Sequence, residues 1–249
     1  MISREKMMNE KEFTTKCEAC FKENGLEPFC EQKTLSVLYC MVDNMLRVNA
    51  VMNLTAITDE DEIIVKHLAD SLSAAAYIPH GAKVLDVGCG GGFPSLPLAI
   101  VRPDLEITAL DSTAKKTQYV ASAAEFLGLA NLKTLTGRAE ELAHDAQYRE
   151  KFDLVVARAV ASLPILCELC LPFVKVGGDM LAMKARLDES EATKASVLLG
   201  ATPFERHAFE LKSSRETDSR LLLLAHKNNS TPREYPRQYA KIKSRPLGV

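Results

Sequence analysis

The chain has 249 residues, 47% hydrophobic and 26% charged, which is the composition of a globular protein large enough to bury a core. Its net charge is −2 and its isoelectric point is near 6.2. The molecule as a whole therefore has no positive field for nucleic acid, and any basic footprint must be local. It shows no signal peptide and no apolar run of membrane-spanning length, which predicts a cytoplasmic protein without membrane contact.

Helical patterns fill the first part of the chain. The apolar spacing predicts helices over about 10–24, closed by Gly25, over about 31–50 and over about 60–77. No strand pattern interrupts them, so residues 1–80 are predicted to form an N-terminal helical extension.

From Lys83 onward, short apolar runs alternate with amphipathic helical runs. This alternation predicts an α/β fold, a Rossmann-like and mostly parallel sheet with helices on both faces. The last two runs follow each other across a polar turn, which allows at least one of them to be antiparallel. The runs interpreted as strands are KVLDVG (83–88), EITALD (106–111), LKTLTG (132–137), FDLVVAR (152–158), DMLAMK (179–184), PFERHAFEL (203–211) and SRLLLLAHK (219–227).

The end of the chain is basic. From Lys227 to Val249 there are six Lys or Arg residues and one acid, Glu234. We therefore divide the chain into the helical extension, a core over 81–229 and a basic tail over 230–249.

Seven cysteines include two C-x-x-C pairs, Cys17/Cys20 and Cys167/Cys170. Both pairs lie in helical patterns, where a three-residue step places two side chains on one face, and neither has the turn residues of a zinc knuckle. We expect buried thiols in a reducing compartment and no bound metal.

The first predicted strand runs into a loop rich in glycine, VLDVGCGGGFPSLPLAI over 84–100. Ligands of open α/β sheets bind at the carboxyl ends of the strands, and glycine lets a ligand approach the backbone. The spacing from Gly88 through Gly90 is G-x-G-x-G, not the G-x-G-x-x-G of dinucleotide sites, and Asp86 adds negative charge. A cationic ligand without phosphate, such as S-adenosylmethionine, suits this loop better than a dinucleotide. The alternative is a tight turn that binds nothing.

The next two strand ends also carry groups that suit such a ligand. Asp111 lies 23 residues after Gly88, near the spacing at which an acid accepts ribose hydroxyl groups. Glu140, which follows the third strand, can accept from an adenine amino group while the backbone of Ala139 donates to the ring. The alternatives are a helix cap at Asp111 and a solvated first-turn acid at Glu140.

Several runs together resemble one family, the ribosomal RNA small subunit methyltransferase G family, also called the glucose-inhibited division protein B family. The runs are NLTAI (53–57), HLADSL (67–72), DVGCGGGFPSLPLAI (86–100), GRAEEL (137–142), ARAV (157–160), YPR (235–237) and RPL (245–247). The resemblance implies a class I methyltransferase fold, S-adenosylmethionine as methyl donor and guanine N7 of small-subunit rRNA as acceptor. It implies a cofactor site made of Gly88, Phe93, Asp111, Ser112, Thr113, Ala139, Glu140 and Arg158. The chain departs from the family pattern at Cys89, Ser95 and Ala240.

The chemistry of guanine N7 fits what the sequence carries. After the fourth strand the chain has ARAV instead of the Asn/Asp-Pro-Pro-aromatic run of exocyclic amine methyltransferases, and no Pro-Cys pair supplies a nucleophile for C5 methylation. N7 has a free lone pair and no proton, so alignment replaces acid–base catalysis. Arg158 is the candidate catalytic residue, which clamps the cofactor carboxylate or braces the guanine. The alternative is an internal ion pair with Asp86 or Glu140.

The RNA site has several candidates. His67, Asp70 and Ser71 share one helical face and can border the acceptor pocket, or be structural. Phe93 and Tyr239 can stack on bases. Tail cations can bind phosphate, with a docked or a solvated tail as alternatives. The cofactor site is predicted between residues 86 and 158, far from the tail in sequence, so we expect cofactor binding to survive removal of the tail. The candidate cations are Arg138, Lys184 and Arg186, at or just beyond strand ends, and Arg233 and Arg237 in the tail.

The expected partner is small-subunit rRNA or the small ribosomal subunit, and the expected state is a monomer. A methyltransferase of small molecules or proteins, or a non-catalytic RNA-binding assembly protein, remains the alternative.

Overall fold

The computed structural model describes residues 9–158, 161–185, 192–213 and 217–248. Its helices are α1 (Glu10–Glu23), α2 (Gln32–Met52), α3 (60–72), α4 (Ser95–Val101), α5 (Ala114–Phe126), α6 (Ala139–Leu142), α7 (Leu163–Cys170), α8 (Ala192–Leu198) and α9 (Tyr239–Ser244). Its strands are β1 (Lys83–Val87), β2 (Glu106–Asp111), β3 (Leu132–Thr136), β4 (Phe152–Arg158), β5 (Val174–Lys184), β6 (Glu205–Lys212) and β7 (Thr217–His226). Across the described ranges, no helix is long and apolar enough to cross a bilayer.

Side-chain caps define where the N-terminal helices begin. The Asn9 side chain accepts from the Glu12 N–H at 3.0 Å, and the Asp59 side chain accepts from the Glu62 N–H at 3.0 Å. Each cap satisfies a backbone donor that has no partner within the helix. Past the end of α1, Gly25 has a φ of 70°, a conformation that closes helices. The helices predicted from the spacing of apolar residues are therefore present.

α3 is not a uniform α-helix. It continues from Glu60–Glu62 through a π-helical segment, Ile63–Ala69, to Asp70–Leu72. Its end corrects the predicted boundary near residue 77, because a separate 3-10 turn covers Ala75–Tyr77. Short π-helical segments are uncommon and often occur at functional sites.

The sheet has seven strands in the order β3-β2-β1-β4-β5-β7-β6. The strands from β3 to β5 are parallel, while β7 lies antiparallel between β5 and β6. The α/β fold and the antiparallel end predicted from the sequence are thus confirmed. The strand order reverses between β1 and β4, so their carboxyl ends flank the crevice where ligands of open sheets bind.

Alternate residues of the strands enter two hydrophobic clusters, one on each face of the sheet. Val84 and Val156 belong to the cluster that includes the N-terminal helices, whereas Leu85 and Val155 belong to the cluster under α7 and the tail. Both faces are covered, as a parallel sheet requires. The helical extension and the tail therefore each share a core with the sheet.

All seven cysteines are free thiols, and both C-x-x-C pairs are buried. Burial raises the pKa of Cys20 to about 11, which keeps its thiol neutral. The pairs pack as small apolar side chains, as predicted.

Candidate active site

A cavity of about 570 Å³ opens at the carboxyl edge of the sheet. It lies at the point where the strand order reverses, with β1 and β4 on either side. The structure brings together here most of the site residues predicted from the sequence. Those that line the cavity are His67, Gly88, Gly90, Phe93, Asp111, Ser112, Thr113, Arg138, Ala139, Glu140 and Arg158.

The glycine loop is shaped by its neighbour strand. The N–H groups of Gly88 and Cys89 both donate to the Leu110 carbonyl, at 2.8 and 2.9 Å. Gly92 has a φ of 88°, and a Cβ atom there would lie 2.5 Å from the Leu96 side chain. The loop therefore needs glycine at this position, and its backbone forms one wall of the cavity.

Asp111 holds the loop and faces the cavity as well. Its Oδ2 accepts from the Gly90 N–H at 3.1 Å, and its Oδ1 accepts from the Thr113 N–H at 2.8 Å. Each carboxylate oxygen has a second lone pair that a ligand hydroxyl can use. Asp111 does not cap α5, whose N-cap residue is Thr113, so the helix-cap alternative is replaced by contacts to the glycine loop and to Thr113 beside the cavity.

Asp86 lies beneath the loop and is 1% exposed. Ser95, which departs from the family pattern, donates a short hydrogen bond to Asp86 Oδ2, and Oδ1 has no partner among the described residues. Burial raises the pKa of Asp86 to about 6. Burial therefore disfavours the ionised form of Asp86, and a cationic ligand bound nearby would stabilise that form.

Arg158 ends β4 at the cavity and is held by α3. Its Nη1 donates to Asp70 Oδ2 and to the Lys66 carbonyl, both at 3.0 Å. The guanidinium carbon lies 5.4 Å from the centroid of the Phe93 ring. The internal partner of Arg158 is thus Asp70, not Asp86 or Glu140, which corrects the alternative considered from the sequence. Among the described contacts, Nε–H and one Nη2–H remain for a ligand.

Asp70 does not line the cavity, contrary to its expected place beside the acceptor. Its Oδ1 lies 3.2 Å from Arg220 Nε on β7, so the carboxylate sits between two guanidinium groups. Asp70 therefore positions Arg158. Sequence reasoning missed Arg220 because a lone arginine in the run SRLLLLAHK carries no motif.

His67 lines the cavity from the π-helical segment. Its ring stacks on Phe93 with centroids 4.5 Å apart, and its Nε2 lies 2.8 Å from Thr55 Oγ1. Burial, followed by the charge of Arg158, lowers the pKa of His67 to about 4. Arg158 Nη2 lies 3.5 Å from Nδ1, and a guanidinium can only donate, so this network assigns the proton of the neutral ring to Nε2.

The other cations predicted to bind RNA lie in different environments. Arg138 lines the cavity, with a side chain 58% exposed and 3.6 Å from Glu140. Lys184 donates a short hydrogen bond to the Ala161 carbonyl outside the cavity lining, and burial lowers its pKa. Arg233 is exposed, and Arg186 lies outside the described residues.

Arg237 is paired inside the protein. Its Nη2 lies 2.6 Å from an oxygen of Glu168, a carboxylate that is 0% exposed. The sequence did not indicate this internal partner, and the phosphate contact at Arg237 stays a prediction that competes with the demand of a buried acid for this cation.

The tail also reaches the cavity. Tyr239, at the start of α9, is part of its lining. The cavity therefore includes a residue of the tail, although residues 86–158 are far from the tail in sequence. Other lining residues that the sequence did not single out as ligand contacts are Leu54, Thr55, Val87, Cys89, Gly91, Leu110, Lys116, Gly137 and Leu169.

The fold, with a cavity at its switch point, is that of class I methyltransferases. The structure of precorrin-6y C5,15-methyltransferase from Geobacter metallireducens shares the fold, with a TM-score of 0.50 at 16% identity over 72% of this chain and 92% of that one.

The sequence relatives are more specific. The family model for rRNA small subunit methyltransferase G matches residues 34–217. Ribosomal RNA small subunit methyltransferase G of Lactobacillus delbrueckii subsp. bulgaricus is 45% identical over 82% of this chain and 87% of that protein. The protein of the same name from Acetivibrio thermocellus is 39% identical over 96% of this chain and 100% of that protein. The chain belongs to the rRNA small subunit methyltransferase G family.

Proposed function

We propose that this protein transfers a methyl group from S-adenosylmethionine to N7 of a guanine in small-subunit ribosomal RNA. It would act in the cytoplasm as a monomer, on the rRNA or on the assembled small subunit. The observation that carries the proposal is the cavity between β1 and β4, where the glycine loop, Asp111, Glu140 and Arg158 meet. The names of the relatives support small-subunit rRNA as the substrate.

The residues around the cavity suit this cofactor. A volume of about 570 Å³ is in the range of sites for small organic ligands. Asp111 would accept from the ribose hydroxyl groups, and Glu140 with the Ala139 backbone would bind the adenine ring. The glycine loop removes side chains from the path of the ligand, and Asp86 supplies negative charge below it. When bound, S-adenosylmethionine supplies an electrophilic methyl group on a positively charged sulfur.

The protein side of the reaction needs no general base. Guanine N7 carries no proton, so the chain has to hold the base and exclude water. His67 is consistent with a reaction that has no general base. Its pKa of about 4 keeps the ring neutral, and its two nitrogens face Thr55 and Arg158. Arg158 would use its remaining N–H groups to align the guanine or the cofactor carboxylate. Alignment of this kind is worth roughly 7–11 kcal/mol in favourable cases.

Two measurements test the proposal. Calorimetric titration with S-adenosylhomocysteine should give saturable binding, and binding should be lost in Gly88→Val, which places a branched side chain in the loop. Small subunits from a strain deleted for this gene should then be incubated with the enzyme and labelled S-adenosylmethionine, followed by mass analysis of the rRNA nucleosides. Label in 7-methylguanosine is the expected result. Ligand binding without any RNA methylation would favour a methyltransferase of another substrate, and absence of binding would favour a non-catalytic RNA-binding protein.

A further inference from the structure

The tail is docked, and its docking fixes the start of α9. Ile242 is fully buried and Leu247 is 9% exposed, both in the cluster beneath α7. Arg237 forms a two-pronged pair with Glu168 of α7, with Nε to Oε1 at 2.8 Å and Nη2 to Oε2 at 2.6 Å. Paired, planar contacts of this kind restrict orientation as well as distance.

The backbone just before α9 is held by the segment that follows α6. Arg149 donates to the Tyr235 carbonyl at 2.9 Å and to the Thr231 carbonyl at 2.8 Å. His144 Nε2 lies 2.8 Å from the Pro236 carbonyl. Since α6 itself carries part of the cavity wall, these contacts tie the tail to the cavity.

Tyr239 is the residue that this arrangement presents at the cavity. Tyr239 is part of the cavity lining and is 38% exposed, and among the described contacts its hydroxyl group makes no hydrogen bond. Phe93, the other aromatic candidate, is 6% exposed and already stacks on His67. Of these two rings, Tyr239 is the one with accessible surface.

Exposed cations line the same cavity or lie on the same helix as this tyrosine. Arg138 and Lys116 line the same cavity, with side chains 58% and 41% exposed. On α9, Lys241 and Lys243 are both exposed, and Lys243, four residues after the tyrosine, shares its helical face, whereas Lys241 does not. Proteins recognise single-stranded RNA by combining an aromatic surface for a base with cations for the backbone.

We propose that Tyr239 is a platform on which a nucleobase of the RNA substrate stacks at the mouth of the methyl-transfer cavity. The proposal rests on the RNA methyltransferase function proposed above and assigns to it a substrate-positioning residue. Arg138 and Lys116 of the cavity, together with Lys243 on the same helical face, hold phosphates of the bound RNA.

The test uses the full chain with small subunits from the deletion strain as substrate. Tyr239→Leu keeps an apolar side chain for packing but removes the aromatic face, and Tyr239→Phe keeps the face without the hydroxyl group. Phe126→Ala is the matched control, because Phe126 is a 62% exposed aromatic residue outside the cavity lining. KM for the subunits, kcat and the Kd for S-adenosylhomocysteine are measured for each variant, together with Tm.

Tyr239→Leu should raise KM for the subunits about 10-fold, the size expected for one lost base–aromatic stack. Tyr239→Phe and Phe126→Ala should stay within about twofold of the wild-type protein in every quantity. The Kd for S-adenosylhomocysteine and Tm should not change in any variant.

Two results would overturn the assignment. An unchanged KM in Tyr239→Leu would show that no base stacks there, and a Kd for S-adenosylhomocysteine that rises with KM would make the tyrosine a cofactor contact. Failure of the proposed function itself looks different, because the wild-type protein would then transfer no methyl group to RNA.

Discussion

Asp111 combines two tasks in one carboxylate, since it receives the Gly90 and Thr113 N–H groups and faces the cavity. Charge-assisted hydrogen bonds are among the stronger polar contacts in proteins. A substitution at this residue therefore affects the loop and the ligand together.

We predict that Asp111→Ala raises the Kd for S-adenosylhomocysteine roughly 10- to 100-fold, from the loss of a charged acceptor. Asp104→Ala is the matched control. Asp104 also accepts a backbone N–H, from Gly81 at 3.0 Å, and pairs with Arg102, but it does not line the cavity. The control should lower Tm and leave the Kd unchanged. Equal affinity of Asp111→Ala and wild type in calorimetry would remove Asp111 from the cofactor site.

His67 makes the stability of the protein depend on pH. Its pKa is lowered from 6.5 to about 4 in the folded protein, so the unfolded chain binds the proton more readily. The stabilisation is complete above about pH 6.5 and is lost as the pH falls to about 4. The shift corresponds to ~3 kcal/mol at most.

We predict that His67→Gln loses less stability than the wild-type protein between pH 6.5 and 4. The measurement is the free energy of unfolding in urea at several pH values in this window. Parallel pH profiles for the two proteins would contradict the neutral, buried state of His67. The difference between them above pH 7 reports the lost packing on Phe93 instead, since the ring stack does not depend on pH there.

At the scale of elements, the tail is a structural part of the sheet domain and carries the cavity residue Tyr239. Lys227, which begins the basic stretch, is fully buried and donates to the Leu171 and Val174 carbonyls at 2.8 and 2.7 Å. Lys227 and Arg237 are thus two of the six Lys and Arg residues of this stretch that bind partners inside the protein. The exposed cations Arg233, Lys241, Lys243 and Arg245 remain predicted phosphate contacts.

We predict that Arg237→Ala lowers the free energy of unfolding by roughly 3–5 kcal/mol, because it leaves the Glu168 carboxylate buried and unpaired. Arg233→Ala, at an exposed position in the same segment, should change it by less than about 0.5 kcal/mol. Urea unfolding measures both. Salt-dependent RNA binding of the two variants provides the second readout, and a reduced salt slope in Arg237→Ala alone would support its role as a phosphate contact.

At the scale of the whole molecule, the helical extension is joined to the sheet by apolar and polar contacts. The cluster on one face of the sheet contains both α2 and β1 residues, such as Leu38 and Val84. On the same side, Asp70 of α3 binds Arg158 of β4 and Arg220 of β7. The domain boundary at residue 80 remains a prediction from the sequence pattern. Because of these contacts, we expect the residues on its two sides to fold as one unit.

We predict a single calorimetric unfolding transition for the full chain, with equal calorimetric and van't Hoff enthalpies. A fragment of residues 81–249 should lack a cooperative transition, because it exposes the apolar face that α2 and α3 cover. S-adenosylhomocysteine should shift the transition of the full chain upward as one unit. Two separate transitions, of which the ligand moves only one, would contradict the shared core.

Much of the fold and part of the site were predictable from the sequence. The strands, the parallel order up to β5 and the glycine loop follow from local patterns, because side-chain alternation and turn residues act over a few positions. Asp111 and Glu140 were found for the same reason, since the carboxyl ends of parallel strands meet at one edge of the sheet. The family resemblance also came from short runs, and the match over residues 34–217 confirms it.

Tertiary structure decided the partners of the charged side chains and the place of the tail. Arg158 pairs with Asp70 across 88 positions, and Arg237 pairs with Glu168 across 69. A charged residue near a strand end or in a basic stretch looks the same in sequence whether it meets a ligand or a buried acid, because desolvation depends on what packs around it. Tyr239 reaches the cavity for a similar reason, since the contacts that dock α9 come from distant segments. The sequence by itself thus determined the fold class and the edge of the sheet that carries the candidate site, while tertiary packing determined which side chains remain unpaired at that edge.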